Sequence, residues 1–310
     1  MKTNRVITIV GPTASGKSAV ALKLAKIIGG EIVNADSRQI YQTLHYGTSQ
    51  PSSDDKKIVT HHLYDFLKPD QIYSAGQYAK EASQTIKDIF KRKGVPIVVG
   101  GTGLYLRSLF DGISELPGRD DAIRKNLQTL ADEKGRKFLH EKLRSIDPIS
   151  ADKIPFQNIQ RVIRALEVYQ LTGNPLSELH KKSSKTLTSF HPIFFGLLWE
   201  KEKLKEHILE RTKRIAPQLI EETKEILKKG FKETDPGLQS LGYREAVRLL
   251  NGEISSETFF NSLLKDTLQY AKRQMTWFKK DSRVKWIKVQ ETFHPENIAD
   301  QLKEELKSEV

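Results

Sequence analysis

Residues 11–18 read GPTASGKS, which fits the phosphate-loop pattern G-x-x-x-x-G-K-[ST] with Gly11, Gly16, Lys17 and Ser18 in the fixed places. A β-branched run, RVITIV, precedes the loop at residues 5–10. SAVALKLAKII, at residues 18–28, follows with helical spacing and stops at Gly29-Gly30. Strand, glycine loop and helix in that order form the context in which such a loop works, because loop N–H groups and the helix N-terminus then point at one anion. Gly11, Pro12, Thr13, Ala14, Ser15, Gly16, Lys17 and Ser18 are the candidate cradle. Lys17 adds a mobile positive charge, and the Ser18 hydroxyl is the candidate ligand for Mg²⁺.

The rest of the chain extends this start into an α/β architecture. EIVNA, residues 31–35, reads as a strand ending at Asp36-Ser37. A helix over residues 76–93 leads to VPIVV at 95–99, which runs into Gly100-Gly101-Thr102-Gly103. Alternating strands and helices predict a P-loop NTPase-like parallel sheet flanked by helices, with ligands at the C-terminal ends of the strands. The strand before Asp36 is expected to lie directly beside the phosphate-loop strand. Helical patterns with little strand signal occupy residues 120–182. Strand character returns at 192–199, followed by a long basic helix at 201–229 and further helices over 239–281. A late strand at 284–289 and a terminal helix from Pro295 complete the chain. The expected organisation is a discontinuous core, 1–119 with 184–310, interrupted by a helical insertion at 120–183.

At the strand ends the chemistry is unlike that of a nucleotide hydrolase. An ATPase or GTPase places an acidic residue near the end of an apolar strand to hold Mg²⁺ and organise hydrolysis. Here that place is taken by Gly100-Gly101-Thr102-Gly103. Three glycines let backbone approach a ligand, and Thr102 contributes only a hydroxyl. Such a site suits a phosphorylated substrate that must not be hydrolysed. Asp36 has three competing roles: magnesium ligand, general base or helix cap.

Lys and Arg number 51 against 39 Asp and Glu, a formal charge of +12. A polyanionic partner is compatible with that excess. With no cysteine, disulfides, thiol nucleophiles and Cys-based zinc sites are excluded. No apolar run approaches the ~20 residues of a membrane span, and the N-terminal MKTNRVITIVGPT lacks a signal-peptide pattern. A soluble cytoplasmic protein is expected. In QNIQRVIRALEVYQLT, residues 157–172, helical spacing puts Gln157, Gln160, Arg161 and Arg164 on one face, opposite Ile159, Val162, Ile163 and Leu166. A Gln/Arg stripe can grip phosphates and bond base edges, although a plain solvated face has the same composition. Tyr270, Gln274, Trp277 and Phe278 at helical spacing read as core, and His61-His62 as structural. The basic helix containing Arg211 and Arg214 is a further source of arginine for the phosphate site.

Taken in order, GPTASGKS, NADSRQIY (34–41), HHLYDF (61–66), SAGQY (74–78), GGTGLY (100–105), PFQNIQRVIRALEVYQLTG (155–173), LGYREA (241–246) and YAKRQMTWF (270–278) resemble the bacterial tRNA dimethylallyltransferases, also called tRNA isopentenyltransferases. The likeness spans nearly the whole chain. It implies transfer of the five-carbon group of dimethylallyl diphosphate to the N6 amine of the adenosine 3′-adjacent to a tRNA anticodon, with release of pyrophosphate. The phosphate loop then cradles the donor's diphosphate. By this resemblance Asp36 is the general base and Thr102 lies near the reacting groups, while Lys17, Ser18 and Arg211 contact pyrophosphate and Mg²⁺. The resemblance also assigns tRNA contacts to Asp36, Ser37, Arg38 and Gln39, to Thr102, to Arg124, to Gln160, Arg161, Val162, Ile163 and Arg164, and to Leu241, Gly242, Tyr243 and Arg244. A monomer is expected. Two alternatives remain: a small-molecule P-loop kinase, and a non-catalytic RNA-binding protein that uses a nucleotide as a switch.

Overall fold

A computed structural model describes residues 4–112, 114, 116–182, 190–290 and 292–308. The chain divides into two compact units, residues 1–110 with 188–310 and residues 111–187, against the insertion boundaries of 120 and 183 expected from sequence texture. In the first unit, β1 (Arg5–Val10) leads through the phosphate loop into α1 (Lys17–Ile28), and β2 (Gly30–Asn34) follows. Next come α2 (Ser53–Ile58), β3 (His61–His62), α3 (Ala75–Lys91), β4 (Val95–Gly100) and α4 (Gly103–Phe110). The second unit is helical among its described residues: α5 (Asp121–Lys134), α6 (Arg136–Ile146), α7 (Pro148–Lys153), α8 (Ile159–Thr172) and α9 (Leu176–Lys182). The chain then returns to the first unit with β5 (His191–Leu198), α10 (Lys201–Lys228), α11 (Tyr243–Leu250), α12 (Ser256–Phe278), β6 (Val284–Lys288) and α13 (Pro295–Ser308).

The six strands form one parallel sheet in the order β3-β2-β4-β1-β5-β6. Side chains alternate across it. Val6, Val10, Val33 and Val98 pack with Tyr78, Ile86 and Ile89 of α3 and Leu109 of α4. Ile7, Ile9, Ile32 and Ile97 face the other way, onto Val20 and Leu24 of α1 and Ile298 and Leu302 of α13. A separate core joins α10, α11 and α12 through Leu219, Tyr243, Phe259 and Leu263, and takes in Ile40 and Leu44 from the segment after β2.

Against the expectation from sequence, the strand before Asp36 does not pair with the phosphate-loop strand, because β4 lies between them, with Ile97 opposite both Ile7 of β1 and Ile32 of β2. The α1 crossover skips one place in the sheet and β4 later fills it. Helical periodicity in a crossover leaves the number of skipped places undetermined. The consequence is specific: the 100–103 turn sits between the Asp36 turn and the phosphate loop, and backbone bonds fix it there. Ala35 N donates to Val99 O at 2.7 Å and Thr102 N to Ala35 O at 3.1 Å.

The second unit has its own core of Leu127, Leu139, Leu143, Val162, Ile163, Leu166 and Val168. Asn158 is the N-cap of α8, so Gln157 lies before the helix and does not continue the stripe expected of it.

Candidate active site

At the end of β1 the chain turns through two left-handed residues, Ala14 at φ 62° and Gly16 at φ 82°, before α1 begins at Lys17. Left-handed residues interspersed in such a turn direct backbone N–H groups towards one concavity. Fixed contacts hold the loop from behind. Ser15 N donates to Pro12 O at 3.3 Å, and the Trp199 indole N–H, just past β5, donates to Ser15 O at 3.0 Å. Lys17 Nζ reaches back to Pro12 O at 3.3 Å. Burial pushes the Lys17 ammonium down to about 8; the Asp36 carboxylate opposes that shift and the Arg211 guanidinium adds to it. Arg211 is itself held below its usual value, chiefly by burial. Phosphate loop, Asp36 and Arg211 therefore share one electrostatic neighbourhood. Two half-buried cations beside the Asp36 carboxylate leave an excess of positive charge suited to a diphosphate.

Arg211 stands on α10 and is aimed by its bonds. Its Nη1 donates to Thr13 Oγ1 at 3.3 Å, and its Nη2 donates to Ser49 Oγ at 2.7 Å and Gly47 O at 3.4 Å. Glu222, three turns further along α10, fixes the segment supplying those acceptors. Its carboxylate accepts from His45 N at 2.6 Å, from Tyr46 N at 3.2 Å and from the Tyr243 hydroxyl. The sequence does not single out Glu222, one acid among many on a charged helix.

The Asp36 turn is equally well defined. Asn34 Oδ1 accepts from Asp36 N at 2.8 Å, and Asn34 Nδ2 donates to Asp36 O at 3.0 Å. Asp36 Oδ1 accepts from Arg38 N at 2.9 Å, which fixes the carboxylate's direction. Thr102 Oγ1 accepts from Ser37 N at 2.9 Å and donates to Ser37 Oγ at 3.3 Å. The glycines of the 100–103 turn admit protein rather than leaving open space. A Cβ added at Gly100 would collide with Ala35 O, one at Gly101 with Gln274 Nε2, and one at Gly103 with Trp277 Nε1. Instead of backbone approaching a ligand, as the three glycines are expected to allow, the groups brought close are Ala35, Gln274 and Trp277 of the protein itself.

A groove of about 510 Å³ opens beside this turn, lined by Ser37, Arg38, Thr102, Leu241, Arg244, Tyr270 and Trp277 among others. Tyr270 and Trp277 thus line a groove, Trp277 with 41% of its surface exposed, whereas the spacing assigned them to the core. Phe278 and Gln274 are buried as that spacing expects. Several other candidate residues have structural work. Gln39 is buried and its amide donates to Thr48 O at 2.9 Å and Ser49 O at 2.8 Å. Gly242 N donates to Glu245 Oε2 at 3.1 Å, Tyr243 is fully buried, and Arg244 pairs with Glu245 at 2.7 Å.

In the second unit, Arg124 and Arg164 converge on Glu167, whose side chain is fully buried, at 3.0 and 2.9 Å. Asp120 N adds a 2.8 Å bond to the same carboxylate, and Arg124 also donates to Gln160 Oε1 at 3.1 Å. Val162 and Ile163 point into that unit's core. Arg161 is exposed, with no carboxylate partner among the described residues.

No cluster of three or more potential metal-ligating side chains occurs among the described residues. A Mg²⁺ ion needs no such cluster, since it keeps several waters and takes its remaining oxygens from one or two side chains and the substrate phosphates. Ser18, an exposed hydroxyl in the first turn of α1, fits that donor set. His61 and His62 are engaged with Val59 O and Glu31 Oε2, each at 2.7 Å.

Comparison with known proteins gives a consistent picture. The IPP transferase family model matches residues 39–281. A tRNA dimethylallyltransferase of Carboxydothermus hydrogenoformans is 42% identical over 285 residues, 91% of each chain. One from Pelotomaculum thermopropionicum is 41% identical over 303 residues, covering 97% of this chain and 96% of that one. Among solved structures, the tRNA isopentenylpyrophosphate transferase of Bacillus halodurans aligns with a TM-score of 0.71 at 30% identity, over 99% of this chain and 98% of its own. A eukaryotic dimethylallyltransferase acting on tRNA aligns with a TM-score of 0.77 at 26% identity, over 92% of this chain and 73% of its own.

Proposed function

This chain belongs to the IPP transferase family, and we propose that it transfers the dimethylallyl group of dimethylallyl diphosphate to the N6 amine of the adenosine 3′-adjacent to a tRNA anticodon. The observation that carries the reading is the meeting of the phosphate loop, Arg211 bonded to its Thr13, and the Asp36 turn held across the 100–103 turn, with Lys17 and Arg211 both feeling the Asp36 carboxylate. That is enough charge to hold a diphosphate and one base to take a proton. The relatives give no support to the kinase alternative.

In this reading the diphosphate lies against the N–H groups of Ala14 and of Gly16, Lys17 and Ser18, with Lys17 and Arg211 supplying positive charge. The adenine enters along the groove lined by Arg38, Tyr270 and Trp277. Its exocyclic amine is a poor nucleophile because the lone pair is delocalised into the ring, so proton removal accompanies attack. As the nitrogen bonds to C1 of the donor, the C1–O bond breaks and the electron pair leaves with pyrophosphate. The Asp36 carboxylate, oriented through its Oδ1 bond from Arg38 N, accepts the amine proton. Charge developing on the leaving group meets donors already in place, which lowers the barrier without reorganisation. Mg²⁺ held at Ser18 would supply further neutralisation of the pyrophosphate. Arg124, Gln160, Arg161 and Arg164 belong to the unit assigned here to tRNA binding. A monomer working in the cytoplasm, where tRNA is processed, completes the proposal.

Incubation with labelled dimethylallyl diphosphate, Mg²⁺ and tRNA lacking the modification, followed by nucleoside analysis, tests this directly. Label on the anticodon-adjacent adenosine is the expected outcome. Absence of label, with phosphate transferred from ATP in a parallel tube, would revive the kinase alternative.

A further inference from the structure

Gln274 is a polar residue on α12 with only 4% of its surface exposed, and both ends of its amide are in use. Its Oε1 accepts the Thr13 N–H of the phosphate loop at 2.7 Å, and its Nε2 donates to Gly101 O, in the turn after β4, at 3.0 Å. Those two segments are separate in sequence and carry the two halves of the proposed chemistry. Thr13 is in the diphosphate cradle, and Gly101 precedes Thr102, which is bonded to the Asp36 turn through Ala35 O and Ser37 N. The space for this bridge is built in, since a Cβ at residue 101 would overlap Gln274 Nε2. Side-chain chemistry narrows the choice of residue. A carboxylate cannot donate to Gly101 O, and a lysine or arginine cannot accept from Thr13 N, whereas a primary amide does both at once. Pro12 has no N–H and that of Thr13 is committed to Gln274, so the front of the loop is tied to α12.

We propose that Gln274 is a positioning residue that fixes the distance between the diphosphate cradle and the Asp36–Thr102 turn, and so the gap across which the prenyl carbon meets the amine. The inference rests on the prenyl-transfer reading above. It separates binding from reaction. Gly101 and Gln274 also line the groove assigned to the adenine, so the rate is read at saturating donor and tRNA, where a change in binding drops out and the spoiled relative placement of the two halves remains. A misplacement of about 1 Å is enough to cost on the order of 10²-fold in rate.

The test is a double-mutant cycle on the full chain with Gln274→Ala, Gly101→Ala and the pair combined, each checked for a cooperative thermal transition. Single-turnover transfer at saturating donor and tRNA gives the rate, and titrations with inorganic pyrophosphate and with unmodified tRNA give the affinities. Each single variant is expected to lose about 10²-fold in that rate with pyrophosphate affinity retained. The double variant is expected to lose no more than either single, because the methyl added at residue 101 displaces an amide that is no longer there. Wild-type rate in folded Gln274→Ala, losses that multiply in the double variant, or losses that appear in affinity alone would each overturn the proposal. Should Gln274→Ala fail to fold, Gln274→Met, of similar volume and without the amide, carries the same rate and affinity comparison. Failure of the underlying reading is distinguishable, since wild-type protein would then transfer no label.

Discussion

The charge of Lys17 depends on its surroundings. Burial depresses its pKa to about 8, so in the free protein the ammonium is intact at neutral pH and titrates within the next unit or two. A bound diphosphate favours the protonated form, so binding above pH 8 must be accompanied by proton uptake. Affinity for inorganic pyrophosphate is therefore expected to fall as pH rises through 8, by up to about tenfold per unit from this group. Calorimetric titration of wild type and Lys17→Met between pH 7 and 9.5 checks the assignment, because Lys17→Met should lack that component of the slope. Asp36 makes a different prediction. Replacing it with alanine removes the proton acceptor and should lower turnover by roughly 10²- to 10⁴-fold. Filter-binding of unmodified tRNA should change far less than the rate, and a mutant with normal turnover would exclude Asp36 as the base.

At the scale of elements, α10 links the cradle to the segment after β2. Glu222 collects the N–H groups of His45, Tyr46 and Gly47 and the Tyr243 hydroxyl, and that segment in turn offers Ser49 Oγ and Gly47 O to Arg211. Glu222→Ala leaves the His45 and Tyr46 N–H groups and the Tyr243 hydroxyl without that acceptor, while Gly47 N keeps the Tyr243 oxygen. A stability loss of about 1–3 kcal/mol in urea unfolding is expected, together with weaker pyrophosphate binding because Arg211 loses its guide. Glu225 on the same helix pairs with Lys228 in solvent, and its alanine variant is expected to show neither effect. This contrast marks where sequence reading reaches its end. Periodicity and apolar runs locate β1, β2, β4, β5, β6 and the long helices, since burial has a period. Hydrogen-bond partners have none: nothing in ILERTKRIAPQLIEETKEIL separates Glu222 from Glu225, and spacing that puts Gln274 inside says nothing of its two bonds. The order of strands is hidden for a related reason, because the place left for β4 between β1 and β2 depends on how far a crossover reaches.

For the molecule as a whole, the excess of 51 basic over 39 acidic residues matters only where cations are not already spent. In the second unit the arginines that look equivalent in RVIRALE are not. Arg164 is committed, with Arg124, to the buried Glu167, while Arg161 is exposed on the same helix. Substitution should therefore separate folding from binding. Glu167→Ala removes the shared anion and leaves two partly buried guanidinium groups facing each other, so its expected effect is a loss of roughly 1–3 kcal/mol in unfolding free energy. Arg161→Glu disturbs no internal pair, and its effect belongs to the electrostatics of a polyanionic partner. Neutralising a phosphate releases counterions, so each such contact adds about 0.7–0.9 to the slope of log affinity against log salt. For unmodified tRNA, Arg161→Glu is expected to weaken binding at low salt and to flatten that slope by about one. Pyrophosphate affinity should stay at the wild-type value. An unchanged slope over 50–300 mM salt (a range of ~10–100-fold in affinity for several phosphate contacts) would place the RNA-facing charge elsewhere and return Arg161 to an ordinary solvated face.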